Sequence, residues 1–465
     1  MSMRISVLGC GLRTPLLLHG LARATDLRIA EIQLFDIEPV RAQMMASLGG
    51  PLLEGTGIRI TVASTAEAAI EDASFVINSA RPGGMEARAR DERLMLLQGY
   101  AGQETTGPGG LAMALRGIPV ALEHAHIVER RAPRAWIVNF TNPAGILTQA
   151  IAQHSGARVV GICDTPAEIF HRIAWALHEP YENFVFDYIG LNHLGWVRQV
   201  LLEGVDVTNV LLHDDALLRR LYPAELFAPA LIRSLKLIPT EYLYFYYGQS
   251  QAVHHQLAAG ATRGEELARM NHLLAAEIHS HLEANQPRLA LEAYRAYLNR
   301  RNASYLRLEA AGESALAQED PGWDPFEGET GYHRIAVDTI RALSGTQPKR
   351  LVLNVLNHGA CADLQGSDSI EVPCLVDKFG PRPAAVGPLP DCIRGLVLAV
   401  KNYERYAIRA AIEGSAELAA MALLMNPIVG EWKPACELIE ALIASDPEHL
   451  GYLREARPAP APIAV

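Results

Sequence analysis

The sequence lacks the features of disulfide-rich, membrane-spanning and nucleic-acid-binding proteins. Its six cysteines are scattered, without a C-x-x-C pair or a compact disulfide spacing, which favours a reducing, cytoplasmic setting. No apolar run reaches the roughly 20 residues of a membrane helix. The formal net charge is −11 and no run is rich in Lys and Arg. Nucleic acid and membrane are therefore not expected as partners.

Composition instead predicts a folded protein with room for a deep site. Apolar residues make up 49% of the chain and charged residues 20%, which is ordinary for a globular protein. At 465 residues the chain exceeds one typical hydrophobic core, so more than one domain is expected.

The first third of the chain alternates short apolar runs with helical segments. Runs such as "RISVLG", "IAEIQLFD", "ASFVINSA", "AWIVNFTNP" and "RVVGICD" are typical of a parallel sheet covered by helices on both faces. We therefore predict an α/β protein in which residues 1–165 form a Rossmann-like, doubly wound domain. Residues 166–455 are predicted to form a helix-rich mixed α/β domain. Residues 314–330 are expected to form a surface loop, and residues 456–465 a disordered tail.

The stretch "ISVLGCGLRTP" predicts a dinucleotide site. Gly9 and Gly11 follow a strand and precede a helix, where a bare backbone can approach a pyrophosphate. Asp36 ends the next strand and could accept the ribose hydroxyls, which favours NAD over NADP. The third glycine of G-x-G-x-x-G is absent, so a tight turn without a ligand remains an alternative.

Polar residues cluster where the other strands end, which is where ligands bind to such sheets. Arg81 follows "ASFVINSA", and Arg88 lies shortly after it. The glycine-rich stretch "GYAGQETTGPGG" carries Glu104. Asn139 and Asn142 end "AWIVNFTNP" and offer amides suited to sugar hydroxyls.

Cys163 and Asp164 end the strand "RVVGICD", and His193 follows in "GLNHLGW". A thiolate and an imidazole suit manganese, iron, cobalt, nickel or zinc, with substrate or water in the remaining positions. The alternatives are a packed cysteine, a structural histidine and, for Asp164, a helix N-cap.

Two further residues are candidates for binding and catalysis. Tyr242 is the first of four tyrosines in "EYLYFYY", which otherwise suggests packing. Beside a metal its phenolate would be favoured, so that it could act as a base. Arg263 at a predicted helix start is either a surface charge or, for an anionic substrate, a phosphate ligand.

Together these loops resemble glycoside hydrolase family 4, whose members depend on NAD and a divalent metal. The resemblance rests on "DERLMLLQGYAGQETTGPGGLAMALRGIPV", "AWIVNFTNPAGILTQA", "VVGICDTP", "GLNHLGW", "LIRSLKLIPTEYLYFYY" and "EVPCLV". It implies hydrolysis of 6-phosphoglucosides through transient oxidation at C3, metal-assisted loss of the C2 proton and elimination at C1.

The resemblance also implies residue roles. Cys163 and His193 match metal ligands, with manganese the expected ion, and Tyr242 matches the base at C2. Arg88, Glu104 and Asn142 match substrate contacts. Arg263 and Arg81 match positions that would hold the 6-phosphate. Gly9, Gly11 and Asp36 match positions that would bind NAD. A homodimer or homotetramer is expected by resemblance alone.

Different motifs of the sequence indicate different anomers of the expected substrate. Asp164 matches members that act on 6-phospho-α-glucosides, where it protonates the leaving oxygen. The segments "NFTNPAG", "GLAMALRGIPV" and "LIRSLKLIP" resemble β-acting members and favour that form slightly. Alternatives are a family member acting on non-phosphorylated α-galactosides or glucuronides, a net NAD-dependent sugar dehydrogenase, and a sugar-phosphate-binding protein without turnover.

Overall fold

The computed structural model of the chain describes residues 2–222, 225–306, 308, 326–328 and 330–454. Most of the loop predicted at 314–330 and the tail at 456–465 lie outside these residues. Within the described ranges, no helix combines the length and apolar character that crossing a membrane would require.

The described strands form one sheet. They are β1 (Met3–Leu8), β2 (Ile29–Phe35), β3 (Arg59–Val62), β4 (Phe75–Asn78), β5 (Trp136–Asn139), β6 (Arg158–Gly161), β7 (Phe184–Leu191), β8 (Leu194–Leu202), β9 (Val205–Asp206), β10 (Ile238–Pro239), β11 (Lys349–Leu356), β12 (Ser369–Asp377) and β13 (Gly380–Pro383).

Helices cover both faces of the sheet and build the rest of the described chain. They are α1 (Thr14–Arg23), α2 (Pro39–Leu53), α3 (Ala66–Ile70), α4 (Gly84–Leu97), α5 (Gly107–Arg131), α6 (Ala144–His154), α7 (Thr165–Ala176), α8 (Thr208–His213), α9 (Asp215–Arg220), α10 (Pro229–Leu235), α11 (Tyr244–Tyr247), α12 (Gln249–Ala259), α13 (Arg263–Glu283), α14 (Pro287–Ala303), α15 (Tyr332–Leu343), α16 (Asp391–Glu413), α17 (Ala416–Met425), α18 (Trp432–Ser445) and α19 (Pro447–Leu450).

The first six strands confirm the predicted doubly wound arrangement. They are parallel and lie in the order β3-β2-β1-β4-β5-β6. Their apolar side chains, such as Ile5, Val7 and Ile77, are fully or almost fully buried, as expected for a sheet with both faces covered. The strand order reverses between β1 and β4, and ligands of such sheets bind beside that point.

The sheet then continues into a mixed second half, in the order β6-β11-β12-β7-β8-β10. Its strands pair antiparallel, which confirms the mixed character predicted for the C-terminal part. The division at residue 165 stays a prediction, because one continuous sheet spans that position. The segment that begins with Arg263 forms two helices, α13 and α14, and α14 begins at Pro287. A proline is favoured at a helix start because it lacks the amide hydrogen that a helix interior needs.

A buried carboxylate joins three neighbouring strands in the mixed half of the sheet. Glu371 of β12 lies in register with Gly190 of β7 on one side and with Asn354 of β11 on the other. Its Oε1 accepts hydrogen bonds from Asn354 Nδ2 at 2.9 Å and Asn192 Nδ2 at 3.2 Å. Its Oε2 accepts one from the Tyr188 hydroxyl at 2.7 Å. The turn between β7 and β8 is thereby fixed against the strands of the second half.

We predict that Glu371→Ala destabilises the protein strongly. The substitution leaves three donors without an acceptor, two of them fully buried, which costs about 3 kcal/mol of unfolding free energy. Burial raises the pKa of Glu371 to about 7, so Glu371→Gln, which imitates the protonated carboxyl, should cost much less. Urea unfolding of both variants measures the difference. Equal stability of the alanine variant and the unsubstituted protein would contradict the role given to this carboxylate.

Candidate active site

The turn after β1 lies against the backbone that follows β4. Gly9 has a φ of +87°, and a Cβ at this position would lie 2.5 Å from Ala80 Cα. Only glycine fits this close approach. Arg81, the next residue after Ala80, therefore begins its loop beside the glycine turn, at the point where the strand order reverses.

The N-terminus of α1 opens next to this turn. Its N-cap residue, Arg13, makes no side-chain capping hydrogen bond. A Cβ at Gly11 would meet no heavy atom within 4 Å, so the space in front of the helix is open. Uncapped amide groups at a helix N-terminus attract anions. The turn therefore fits the pyrophosphate of a dinucleotide.

Asp36 lies directly after β2 and is tied to the glycine turn. Its Oδ2 accepts a hydrogen bond from the Cys10 amide at 2.8 Å, and its Oδ1 accepts one from the Glu38 amide at 2.9 Å. Arg41 also donates to Oδ1, at 3.2 Å. Since each carboxylate oxygen accepts about two hydrogen bonds, capacity remains for a ribose hydroxyl. The role of Asp36 in NAD binding stays a prediction.

Cys163 and His193 are both buried and both lie near Tyr242. Burial, followed by the nearby carboxylates of Glu371 and Asp164, raises the pKa of the Cys163 thiol well above its ordinary value. Burial lowers the pKa of His193 to about 4, so its imidazole is neutral at pH 7. His193 Nδ1 is buried without a hydrogen-bond partner among the described residues. An unpaired nitrogen on a neutral imidazole is the form that binds metals.

Tyr242 stacks on the His193 ring, with ring centroids 3.9 Å apart and planes at 2°. Its phenol lies close enough to Cys163 for a thiolate there to raise the pKa of Tyr242. The Tyr305 hydroxyl donates a hydrogen bond to the Tyr242 oxygen. This donor opposes the larger effect of burial, which raises the pKa of Tyr242. Cys163, His193 and Tyr242 thus form one cluster.

This donor set fits a metal site of two protein ligands. Among the described residues, no group of three or more His, Cys, Asp or Glu side chains is arranged to hold a metal ion. A thiolate and an imidazole would therefore leave most coordination positions to other molecules, as the sequence predicts. Soft sulfur and borderline nitrogen donors suit a divalent transition metal better than calcium or magnesium.

Asp164 is not a helix cap. It occupies the N-cap position of α7, but its side chain makes no capping hydrogen bond. The carboxylate instead lies 3.9 Å from the Arg13 guanidinium and is hydrogen-bonded to Tyr332. Burial raises the pKa of Asp164, and Arg13 opposes that shift. The alternative of a simple capping residue is thus not supported, and the carboxylate is available to a ligand beside Cys163.

Arg81, Arg88 and Glu104 form a second cluster. Arg81 pairs directly with Glu104, and Arg88 pairs with Glu104 at 2.8 Å and with Glu92 at 2.8 Å. Burial alone would raise the pKa of Glu104, but the two guanidinium groups lower it to about 2. Glu104 also acts on the pKa of His193, and Tyr242 acts on that of Arg88. The two clusters therefore belong to one site.

Arg263 and the two predicted asparagines differ in their contacts. Arg263 at the start of α13 is 7% exposed, so it is not the surface charge that its position suggested. The Asn142 Oδ1 atom is buried without a hydrogen-bond partner among the described residues. Asn139, in contrast, donates to the Thr141 carbonyl at 3.1 Å and is an internal structural residue.

Several residues of the site were missed from the sequence. Arg13 lies over the Tyr332 ring, 4.1 Å from its centroid, and Tyr305 contacts Tyr242. Neither tyrosine belongs to a motif or follows a parallel strand. The only sequence signal was the position of Arg13 inside the glycine turn.

Comparisons with known proteins cover almost the whole chain. Residues 4–179 match the family described as family 4 glycosyl hydrolase, and residues 188–429 match the C-terminal domain of that family. A Bacillus subtilis (strain 168) protein named as a probable 6-phospho-beta-glucosidase is 31% identical, over 95% of this chain and 94% of that protein.

Solved structures are similar over a comparable length. The 6-phospho-beta-glucosidase of Thermotoga maritima, solved with manganese, NAD+ and glucose-6-phosphate, matches with a TM-score of 0.78 and 27% identity, over 96% of this chain and 99% of that one. A 6-phospho-alpha-glucosidase from gut microorganisms, solved with NAD and glucose-6-phosphate, matches with a TM-score of 0.79 and 26% identity, over 98% and 100% of the two chains.

Proposed function

Because this chain belongs to the family 4 glycosyl hydrolases, we propose that it hydrolyses 6-phosphoglucosides, with the β-anomer as its preferred substrate. The family predicted from the loop motifs is confirmed. The observation that carries the proposal is the cluster in which the Tyr242 ring stacks on His193 beside Cys163. A base placed against two potential metal ligands suits proton removal next to a polarised oxygen.

The cofactors we infer are NAD and a divalent metal, manganese first. The open glycine turn before α1 supports NAD, and the unpaired His193 Nδ1 beside Cys163 supports the metal. Relatives solved with these groups add to that support. When bound, NAD supplies reversible hydride acceptance, and the metal supplies Lewis-acid polarisation of a neighbouring oxygen.

The chain's own residues divide the remaining work. Tyr242 accepts the C2 proton of the sugar, and the hydrogen bond donated by Tyr305 stabilises its phenolate. Asn142 offers an unpaired amide oxygen to a sugar hydroxyl. Arg88 holds Glu104 as a carboxylate that can accept hydrogen bonds from substrate. Arg263, with Arg81 as a second donor, supplies positive charge for the 6-phosphate.

A 6-phospho-α-glucosidase is the second candidate, and Asp164 is the observation that favours it. Its carboxylate makes no capping hydrogen bond to α7. Burial raises the pKa of Asp164, which suits a group that gives a proton to the leaving oxygen of an α-glycoside. The β-anomer remains the preferred substrate of the proposal because the Bacillus subtilis relative, at 31% identity, is named as a probable 6-phospho-beta-glucosidase.

We expect the protein, with NAD+ and Mn²⁺, to release nitrophenol from the 6-phospho-β-glucoside faster than from the 6-phospho-α-glucoside. The unphosphorylated glucosides and galactosides serve as controls and should react far more slowly. Faster release from the α-anomer would reverse the anomer assignment. Accumulation of NADH in proportion to product would instead identify a net dehydrogenase, and binding without any turnover would identify a binding protein.

Tyr242→Phe should reduce kcat by about 100-fold to 10,000-fold, the usual contribution of a general base. Affinity for glucose 6-phosphate should change little. When the reaction runs in deuterium oxide, mass spectrometry should find deuterium at C2 of the product of the unsubstituted enzyme. The matched control is Tyr246→Phe, which makes the same change one helical turn later. Full activity of the Tyr242 variant would remove it from the base role.

Cys163→Ser should weaken Mn²⁺ binding by at least about tenfold, because a hydroxyl is a much poorer ligand than a thiolate. Calorimetric titration of the metal-free protein with Mn²⁺ measures this without relying on activity. Cys361→Ser is the control, since Cys361 is also buried, at 1% exposure, but is not among the predicted ligands. Equal losses in both variants would indicate a general structural effect and contradict the ligand assignment.

A further inference from the structure

Arg301 lies near the C-terminal end of α14, and its side chain is only partly exposed. Among the described residues, its side chain donates one hydrogen bond, to the Tyr297 hydroxyl at a long 3.4 Å. That hydroxyl in turn donates to Asn271 Oδ1 at 2.6 Å. Within the described ranges, no carboxylate forms an ion pair with Arg301. A guanidinium carries five N–H donors, so most of the hydrogen-bonding capacity of Arg301 is unused.

Arg263 fixes the backbone from which Arg301 extends. It donates to the Arg301 carbonyl at 2.8 Å and to the Ser304 hydroxyl at 2.6 Å. It also pairs with Glu266 at 2.5 Å. Much of the hydrogen-bonding capacity of the Arg263 guanidinium is therefore used on the last turn of α14. Arg301, whose backbone position Arg263 fixes, keeps most of its own guanidinium donors available.

The charges around Arg301 are mostly positive. Burial, and then the charges of Arg13, Arg263 and Arg88, lower the pKa of Arg301. Arg13 and Arg88 each have a carboxylate within 3.9 Å, and Arg263 has Glu266. Arg301 has none in the described part of the chain. An unpaired cation among other cations is unfavourable, and a multiply charged anion relieves it.

Arg301 also lies on the sugar side of the site. Arg263, which donates to the Arg301 carbonyl, is followed by Gly264, whose amide donates to Glu92 Oε2 at 2.5 Å. Glu92 pairs with Arg88, which also pairs with Glu104. Arg13, in contrast, belongs to the turn in front of α1. Two phosphate groups are candidate ligands of Arg301: the 6-phosphate of the sugar and the pyrophosphate of the cofactor. The link from the end of α14 through Arg263 and Gly264 to the pairs that Arg88 forms with Glu92 and Glu104 favours the sugar.

We propose that Arg301 binds the 6-phosphate of the substrate directly and determines the preference for phosphorylated sugars, while Arg263 acts mainly as a positioning residue that holds Arg301. The proposal rests on the proposed function and deepens it. A planar guanidinium binds phosphate through two parallel hydrogen bonds, and an arginine without a protein counter-ion gains most from such a ligand.

The test compares Arg301→Gln with Arg301→Lys in the holoenzyme with Mn²⁺ and NAD+. Calorimetric titration should give an affinity for glucose 6-phosphate that is about 10-fold to 100-fold lower in the glutamine variant, as for loss of a charged hydrogen bond. The lysine variant should lose less, because it keeps the charge but not the fork. Binding of unphosphorylated glucose should not change, and KM for the phosphoglucoside should rise more than kcat falls.

The matched control is Arg300→Gln, which removes an exposed arginine from the adjacent position of the same helix and should leave both affinities unchanged. Separate titrations with NAD+ distinguish the two phosphate sources. Loss of NAD+ affinity in the Arg301 variants, or unchanged affinity for glucose 6-phosphate, would overturn the proposal. Binding of glucose 6-phosphate needs no turnover. An enzyme that binds it through Arg301 but does not hydrolyse phosphoglucosides would therefore refute the proposed function alone.

Discussion

The structure depends on one buried seam, where Glu371 accepts hydrogen bonds from both of its neighbours in the sheet. The parallel half ends at β6, and the mixed half reaches the same sheet only through β11 and β12. Because Glu371 accepts from Asn354 on one side and from Tyr188 and Asn192 on the other, it fixes the turn that carries His193. The turn with His193 is thus held against β11 and β12 by a carboxylate that water does not reach.

Burial then determines the chemical state of the residues around that seam. It keeps His193 neutral and the Cys163 thiol protonated while no metal is bound. Where guanidinium groups are close, they overcome the same burial, as the low pKa of Glu104 shows. The site therefore separates a nearly neutral region beside Tyr242 from a strongly charged region around Arg88. These are the two environments that a neutral sugar ring and its phosphate require.

Much of this arrangement could be predicted from the sequence. Gly9, Cys163 and His193 were found because each follows a strand of a recognisable pattern, and strand ends of such sheets carry ligand-binding residues. Arg301 could not be found in this way. It lies in "YLNRRNAS", where two adjacent arginines on a helix look alike, and only the fold shows that Arg300 is exposed and Arg301 is partly buried. The role of Asp164 was also undetermined, since the sequence does not distinguish an aspartate that caps a helix from one whose carboxylate is free.

The strand order has a consequence for the course of folding during synthesis. The strand that leads to His193, β7, does not pair with the preceding strand β6 but with β12, which lies far downstream in the chain. Strands β1 to β5 of the cofactor half pair with no strand beyond β6, although helices from downstream, such as α15 against α1 and α16 against α5, also pack on this half. The turn with His193 gains its partners only after β12 has been synthesised and inserted between β7 and β11. Completion of the catalytic centre is therefore a late, long-range event, because Glu371, which fixes the turn with His193, lies far downstream of that turn in the chain.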